Sequence, residues 1–406
     1  MVLFLLGLTA ALAADGYEEP PAEIAAILDA PSSPAVDFSP DGAWFIEKAR
    51  PSLRSLEELA APRVKVAGIT LDPSTFGPSR PYLYRRLSLR RVDAPRDAID
   101  IALPEGARIS HVMWHADSDK VAFTLTVEGG IELWVATVPD GAATRLTEPV
   151  LNAAYGWPCD WLPGDGGLIC KQRPADLGPA PARPALPPGP RIEENLGRAT
   201  PARTYTNLLQ SAHDEALFEH YLTAELVRVG LDGSSQRVLA PALVDEARPS
   251  PDGTVLLVET IERPFSYQVP VSRFPRKHLV MPAEQAGAPR VLAELPLADD
   301  VPVPFGSVRT GRRTINWRSD RPHTLYLVEA LDGGDAGAEA THRDLVSTWE
   351  APFEGEPTPL WKTELRYGGI SWGDGELAMG EEWWYDTRQV RTWMLQPDAP
   401  ERAYRR

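Results

Sequence analysis

One turn recurs along this chain, and its recurrence constrains the fold more than any other feature. The turn carries Asp or Gly, follows an aromatic residue or Pro-Ser, and leads into a short apolar strand. It occurs as Phe38-Ser-Pro-Asp-Gly42, Trp114-His-Ala-Asp-Ser-Asp119, Trp161-Leu-Pro-Gly-Asp165, Pro249-Ser-Pro-Asp-Gly253, Trp317-Arg-Ser-Asp320 and Trp372-Gly-Asp-Gly375. Each copy is followed by a further strand or pair of strands. Residues 131–148 and 224–241 are the clearest, each an alternating strand that enters an Asp-Gly turn and returns. Four short strands per unit, repeated, is the pattern of propeller blades. The physical reason is burial: one small twisted sheet cannot cover both its faces, whereas stacked sheets cover each other. The 41 prolines, 31 glycines and 12 tryptophans suit short strands and tight turns better than long helices. The expected fold is therefore all-β, a β-propeller of four-stranded blades with about six recognisable units over residues 15–406.

Two stretches interrupt the repeat. Residues 174–190 hold seven prolines and predict an extended surface excursion of polyproline character. Asn207 to His220 places Leu208, Leu209, Ala212, Ala216 and Phe218 at mostly helical spacing and predicts a short helix. Both fall inside the third unit. The sixth unit runs through only about three strands, ending near Arg391-Thr-Trp-Met-Leu395, so the expected ring is incomplete.

The apolar content of 43% and charged content of 24% over 406 residues are those of a globular chain. A net charge of −16 disfavours nucleic acid and anionic lipid as partners. Met1 to Ala14 is apolar, too short to span a bilayer, and contains the small-x-small site Ala11-Leu12-Ala13. It predicts a signal peptide and a periplasmic or secreted mature chain starting near Ala14 or Asp15. No Lys or Arg precedes the apolar run, and an apolar N-terminal helix is the alternative. Cys159 and Cys170 lie symmetrically about Gly164-Asp165. A hairpin turning there sets them opposite each other, within reach of a disulfide, which export would favour.

Candidate chemistry is sparse. Gly369-Ile-Ser-Trp-Gly373 matches the G-x-S-x-G nucleophile pattern, but that elbow requires a strand, a sharp turn and a helix. Ser371 sits in a strand instead, and no His follows it, so no catalytic residue is expected here. His111 and His115 lie in a strand, where their spacing separates them by about 13 Å; they read as exposed strand and turn histidines. Asp332-Gly-Gly-Asp335 reads as a solvated acidic turn with too few ligands for a cation. No phosphate-binding loop or zinc pattern appears, so neither a cofactor nor a metal is expected. The run from Arg263 to Lys277 is basic in an acidic chain. Arg263 and Arg273 are candidates to hold a substrate carboxylate; the plainer reading pairs them with Glu259 or Glu262.

Several stretches together resemble the N-terminal propeller of prolyl oligopeptidase-family serine peptidases, in particular the glutamyl endopeptidase branch of chloroplasts and bacteria. They are Pro20 to Pro31, Phe38 to Gly42, Arg203 to Leu209 with Asp214 to Phe218, Arg263 to Tyr267 with Arg273-Phe-Pro275, Ile315 to Arg318, Leu331 to Asp335, and Leu365 to Trp372. The resemblance implies a propeller that caps an α/β-hydrolase domain and restricts peptide access to it. It places the Ser, Asp and His of catalysis in that domain, to which no residue here corresponds. The expected partners are thus the hydrolase domain and peptide substrates, and the chain alone is expected to be inactive. A truncated gene or a second reading frame would account for this. An independent periplasmic propeller that binds a protein or peptide is the alternative.

Overall fold

A computed structural model describes residues 20–185, 204–284 and 288–399. The expected signal peptide, residues 1–14, lies outside the described residues, as does the proline-rich stretch beyond residue 185. The fold is all-β and its sheets are antiparallel throughout.

The first sheet is built from β1 (Ala35–Phe38) and β2 (Trp44–Ala49), then β6 (Arg86–Arg91) and β7 (Ala98–Asp100). Helix α1 (Ala22–Leu28) precedes it. Between β2 and β6 come helix α2 (Leu56–Ala60) and a small sheet of β3 (Val64–Val66), β4 (Ile69–Asp72) and β5 (Gly77–Pro78). The second sheet holds β8 (Ile109–Trp114), β9 (Lys120–Val127), β10 (Gly130–Thr137) and β11 (Ala143–Arg145). The third holds β12 (Cys159–Trp161), β13 (Leu168–Gln172), β14 (Thr223–Val229) and the first half of β15 (Ser235–Pro249). Helix α3 (Ala212–Leu222) sits between β13 and β14, close to the helix predicted from the sequence. The fourth sheet takes the second half of β15 with β16 (Val255–Ile261), β17 (Arg276–Pro282) and β18 (Arg290–Leu295). The fifth is β19 (Arg313–Trp317), β20 (Thr324–Ala330), β21 (Asp344–Glu350) and β22 (Thr358–Thr363). The sixth is β23 (Arg366–Asp374), β24 (Leu377–Trp384) and β25 (Gln389–Leu395).

The expectation of uniform four-stranded units is met by the first, second and fifth sheets only. The third and fourth are fused into seven strands, because β15 pairs with β14 as far as Leu243 and with β16 from Val244 onward. The sixth has three strands.

The two Ser-Pro-Asp-Gly copies of the recurring turn share one hydrogen-bond pattern. Ser39 Oγ donates to Asp41 (2.6 Å) and accepts from the Trp44 N–H (2.9 Å), while Asp41 accepts from the Ala43 N–H (3.0 Å). Ser250, Asp252, Thr254 and Val255 repeat the same bonds. Gly42 closes the first turn at φ +70°, a conformation that a Cβ disfavours. Gly253 does the same at φ +75° and also lies against Pro163, where a Cβ would come within 2.8 Å of the ring.

In three copies the tryptophan of the repeat fastens its sheet to the one before it. The indole N–H of Trp114 donates to the Asp37 carbonyl, that of Trp161 to Met113 and that of Trp317 to Arg248, at 3.3, 3.2 and 2.9 Å. Trp372 breaks the series: its indole nitrogen is buried without a partner, and its ring packs on Tyr326 and Arg318 instead. Apolar cores fill the gaps between consecutive sheets, for example Ile46 with Phe123, Leu133 with Val227, Leu226 with Val258, Leu257 with Trp317, and Val346 with Leu395.

Burial follows from this stacking. In β9, covered on both sides, six consecutive residues are buried. In β24 and β25 burial alternates, and Leu377, Met379, Val390 and Met394 face outward. β1 alternates too and exposes Val36 and Phe38. The sixth sheet therefore carries an uncovered apolar face, while on the first only the edge strand exposes Val36 and Phe38, beside the Glu47–Arg90 ion pair.

Candidate functional site

The opening strands of the second, third and fourth units converge on a cleft. Met113 from β8, Cys159 and Asp160 from β12, and Glu246, Ala247 and Arg248 from β15 line a cavity of about 260 Å³, with Trp157 and Lys171 beside them. The floor is fixed by register: Cys159 lies opposite Cys170 with Cα atoms 4.1 Å apart, and the two are joined by a disulfide. The rim carries Trp157, 55% exposed, whose ring meets the edge of His111.

The polar groups of this cleft are tuned mainly by loss of water. Asp160 stays solvent-accessible, yet the protein packed around it displaces enough water to raise its pKa, against the opposing effects of the Trp161 N–H and the Arg248 charge. Burial pushes the Lys171 ammonium down to about 8, with Asp245 acting the other way. Lys171 Nζ donates to the carbonyls of Tyr155 (2.5 Å) and Asp245 (2.7 Å). His111 is lowered to about 4 by burial and then by the Lys171 charge, so it is neutral at pH 7. Glu246 and Arg248 form an ion pair. A half-apolar cleft with one exposed indole and hydrogen-bonding groups of both signs can hold a peptide backbone.

Behind the cleft, Arg276 pairs with Asp245 and, at 3.2 Å, with Glu259. Arg276 is 4% exposed, and its charge, after burial, holds His278 down at about 4.

The residues singled out from the sequence are dispersed. Arg263 projects from the loop after β16 and pairs with Glu215 and Glu219 of α3, each at 2.8 Å. Its predicted partner Glu259 is on Arg276, and Glu262 is near Lys277. Arg273 donates to the Ala298 carbonyl at 3.2 Å. Ser371 lies within β23, exposed and opposite Met379.

The readings of three residues are corrected. His115 is not an exposed turn histidine: it is 1% exposed, bonded to Asp119 and to the Gly164 carbonyl at 3.0 Å each. His111 is not an ordinary strand residue either. It occupies a bulge at φ +47°, between Ser110 and Met113 in the pairing with β9, with Nδ1 3.0 Å from Thr124 Oγ1. Nor is the Asp332 carboxylate solvated, although Leu331 and Gly333 of its turn are exposed. The Asp332 side chain is fully buried and accepts from Arg366 (2.6 Å) and Arg343 (3.0 Å). Among the described residues no group of three or more His, Cys, Asp or Glu is placed to hold a metal ion. No described helix is long and apolar enough to cross a membrane.

No family model matches the chain. It is similar to "Probable glutamyl endopeptidase, chloroplastic" of Oryza sativa subsp. japonica, 38% identical over 400 residues that cover 94% of this chain and 42% of that protein. The protein of the same name from Arabidopsis thaliana is also 38% identical over 400 residues, covering 95% and 41%. The chain thus spans about two fifths of the length of these curated relatives. Among solved structures, an acylaminoacyl peptidase of Pyrococcus horikoshii overlaps 91% of this chain and 45% of its own (10% identity, TM-score 0.44). An oligogalacturonate lyase of Vibrio parahaemolyticus overlaps 93% and 85% (11% identity, TM-score 0.46).

Proposed function

We propose that this chain is the propeller portion of a glutamyl endopeptidase-like serine peptidase of the prolyl oligopeptidase type, exported from the cytoplasm. In this reading the six consecutive sheets are blades, and they gate peptide access to an α/β-hydrolase domain that carries the catalytic Ser, Asp and His. The observation that carries it is the 38% identity over 400 residues, nearly the whole of this chain, to proteins bearing the glutamyl endopeptidase name. The cleft between the opening strands suits a role in guiding peptide rather than in cutting it.

The test joins this chain to the C-terminal part of the Oryza relative. The fusion is expected to cleave Glu-containing peptides, and the chain alone to show neither cleavage nor labelling by a serine-directed phosphonate. Labelling of Ser371 in the chain alone, or an inert fusion that is folded, would overturn the reading.

A further inference from the structure

The cleft between the opening strands offers backbone as well as side chains. In an antiparallel ladder, residues that bond their partner alternate with residues whose N–H and C=O point to the opposite edge. The Lys171 N–H bonds the Pro158 carbonyl (2.7 Å) and the Leu162 N–H the Gly167 carbonyl (2.9 Å), on the register that sets Cys159 against Cys170. Cys159 therefore turns its N–H and C=O away from β13, and β12 is the last strand of its sheet on that side. The same count applies to β15. The Ser250 N–H bonds the Val255 carbonyl (2.7 Å), on the register that pairs Arg248 with Leu257 and Ala247 with Val258. Ala247 therefore turns its N–H and C=O away from β16, on the side where pairing with β14 has ended at Leu243.

Cys159 and Ala247 line one cavity. Among the described residues no hydrogen bond reaches the outward N–H and C=O of either. Backbone groups inside a protein are nearly always paired, and an extended peptide supplies the N–H and C=O that a bare strand edge lacks. Cys159 is buried and Ala247 half-buried, so Ala247 is the more accessible of the two.

The side chains select among peptides. Trp157 stands exposed at the rim, and Met113, Pro158, Ile169 and Leu226 make much of the wall apolar. The cations of the wall are engaged, Lys171 with the carbonyls of Tyr155 and Asp245, and Arg248 with Glu246. Asp160 is solvent-accessible and has no ion pair among the described residues. An acidic side chain entering this space meets the Asp160 carboxylate and no free cation, whereas an apolar ring gains the face of Trp157. About 260 Å³ is small for a ligand pocket and suits one such side chain.

We propose that one uncharged aromatic residue of an extended peptide docks in this cleft, its backbone paired with Ala247 and its ring on Trp157. This deepens the peptide-guiding role proposed above and rests on it, and the residue recognised here is not an acidic one.

The test is calorimetric titration of the full 406-residue chain with acetyl-Ala-Phe-Ala-amide, the same peptide N-methylated at Phe, and acetyl-Ala-Glu-Ala-amide. Each is carried to about 10 mM, since one docked residue gives affinity in the millimolar range. The Phe peptide is expected to bind at least tenfold more tightly than the other two. Trp157→Ala is expected to weaken it fivefold or more, and Arg263→Gln, at an arginine already paired on α3, to leave it unchanged. Ala247→Pro removes the outward N–H without costing a bond to β16 and should weaken binding as well, once circular dichroism shows it folded; the N-methylated peptide carries the test without it. Equal affinity for the methylated peptide, equal or tighter binding of the Glu peptide, an undiminished Trp157→Ala variant, or no binding would overturn the proposal. Because no cleavage is measured, failure here with an active fusion removes the docking site and leaves the peptidase reading standing.

Discussion

At the scale of single residues, buried charge does much of the specifying. Arg366 is 1% exposed and bridges Asp332 and Asp344, both fully buried. Replacing it with Met strands two carboxylates without their main partner, and we expect a loss of about 3–5 kcal/mol, read by urea unfolding. Asp332 adds a pH signature. Burial alone would raise its pKa, but the bonds from Arg366 and Arg343 and the Arg366 charge bring it below the ordinary carboxylate value. That stability is present above the unfolded pKa and is lost as pH falls through the folded one, so the Arg366→Met variant should show a shallower acid limb. His278 acts earlier on the same limb. Its folded pKa of about 4 lies below the unfolded value near 6.5, so between those pH values the unfolded chain binds the extra proton. Stability should therefore fall from pH 6.5 to 4, by on the order of 3 kcal/mol for this group, and His278→Gln should flatten the profile over that window. None of this was legible in the sequence. Asp332-Gly-Gly-Asp335 reads as a surface turn because its partners Arg343 and Arg366 lie 11 and 34 positions away.

At the scale of elements, much more could be read. The six turns and the strands after them are local, since Ser-Pro-Asp-Gly forms its hydrogen bonds within five residues, and the register of the β12–β13 hairpin follows from counting about one turn. What counting missed was β15, where residues 235–249 run on as one strand through a register shift between Val244 and Glu246. Alternation there is weak, with exposed and half-buried residues mixed, so no apolar period marked the continuity. The bulge at His111 was hidden for the same reason. The Cys159–Cys170 bridge offers a measurement at this scale. It closes a loop with a sequence separation of 11, and the Cys159→Ala/Cys170→Ala double variant should lose about 2–3 kcal/mol. The comparison of melts with and without reductant should then differ for the parent chain and coincide for the variant.

Across the whole molecule, stacking is sequential, and the consequence appears at the two ends. Leu377, Met379, Val390 and Met394 on the sixth sheet form an apolar face open to solvent, and Val36 and Phe38 stand exposed on the edge strand of the first. Such faces drive association. The chain by itself is expected to self-associate with rising concentration in sedimentation and to bind an apolar dye. Val390→Lys with Met394→Glu should reduce both while leaving the melting temperature within a few degrees, because neither side chain is in a core. A parent chain that sediments as a monomer at every concentration and binds no dye would contradict this.

The shared strand β15 also decides where the molecule can be divided. Between the second and third sheets, or between the fourth and fifth, the backbone passes through connecting segments, and a break there leaves every ladder whole. A break near Leu243 instead severs one strand into two stubs, each the edge of a different sheet. Split halves of this protein should reassemble when parted within 301–305 and fail when parted at 243. The third and fourth units thus form one block that cannot be parted without cutting a strand.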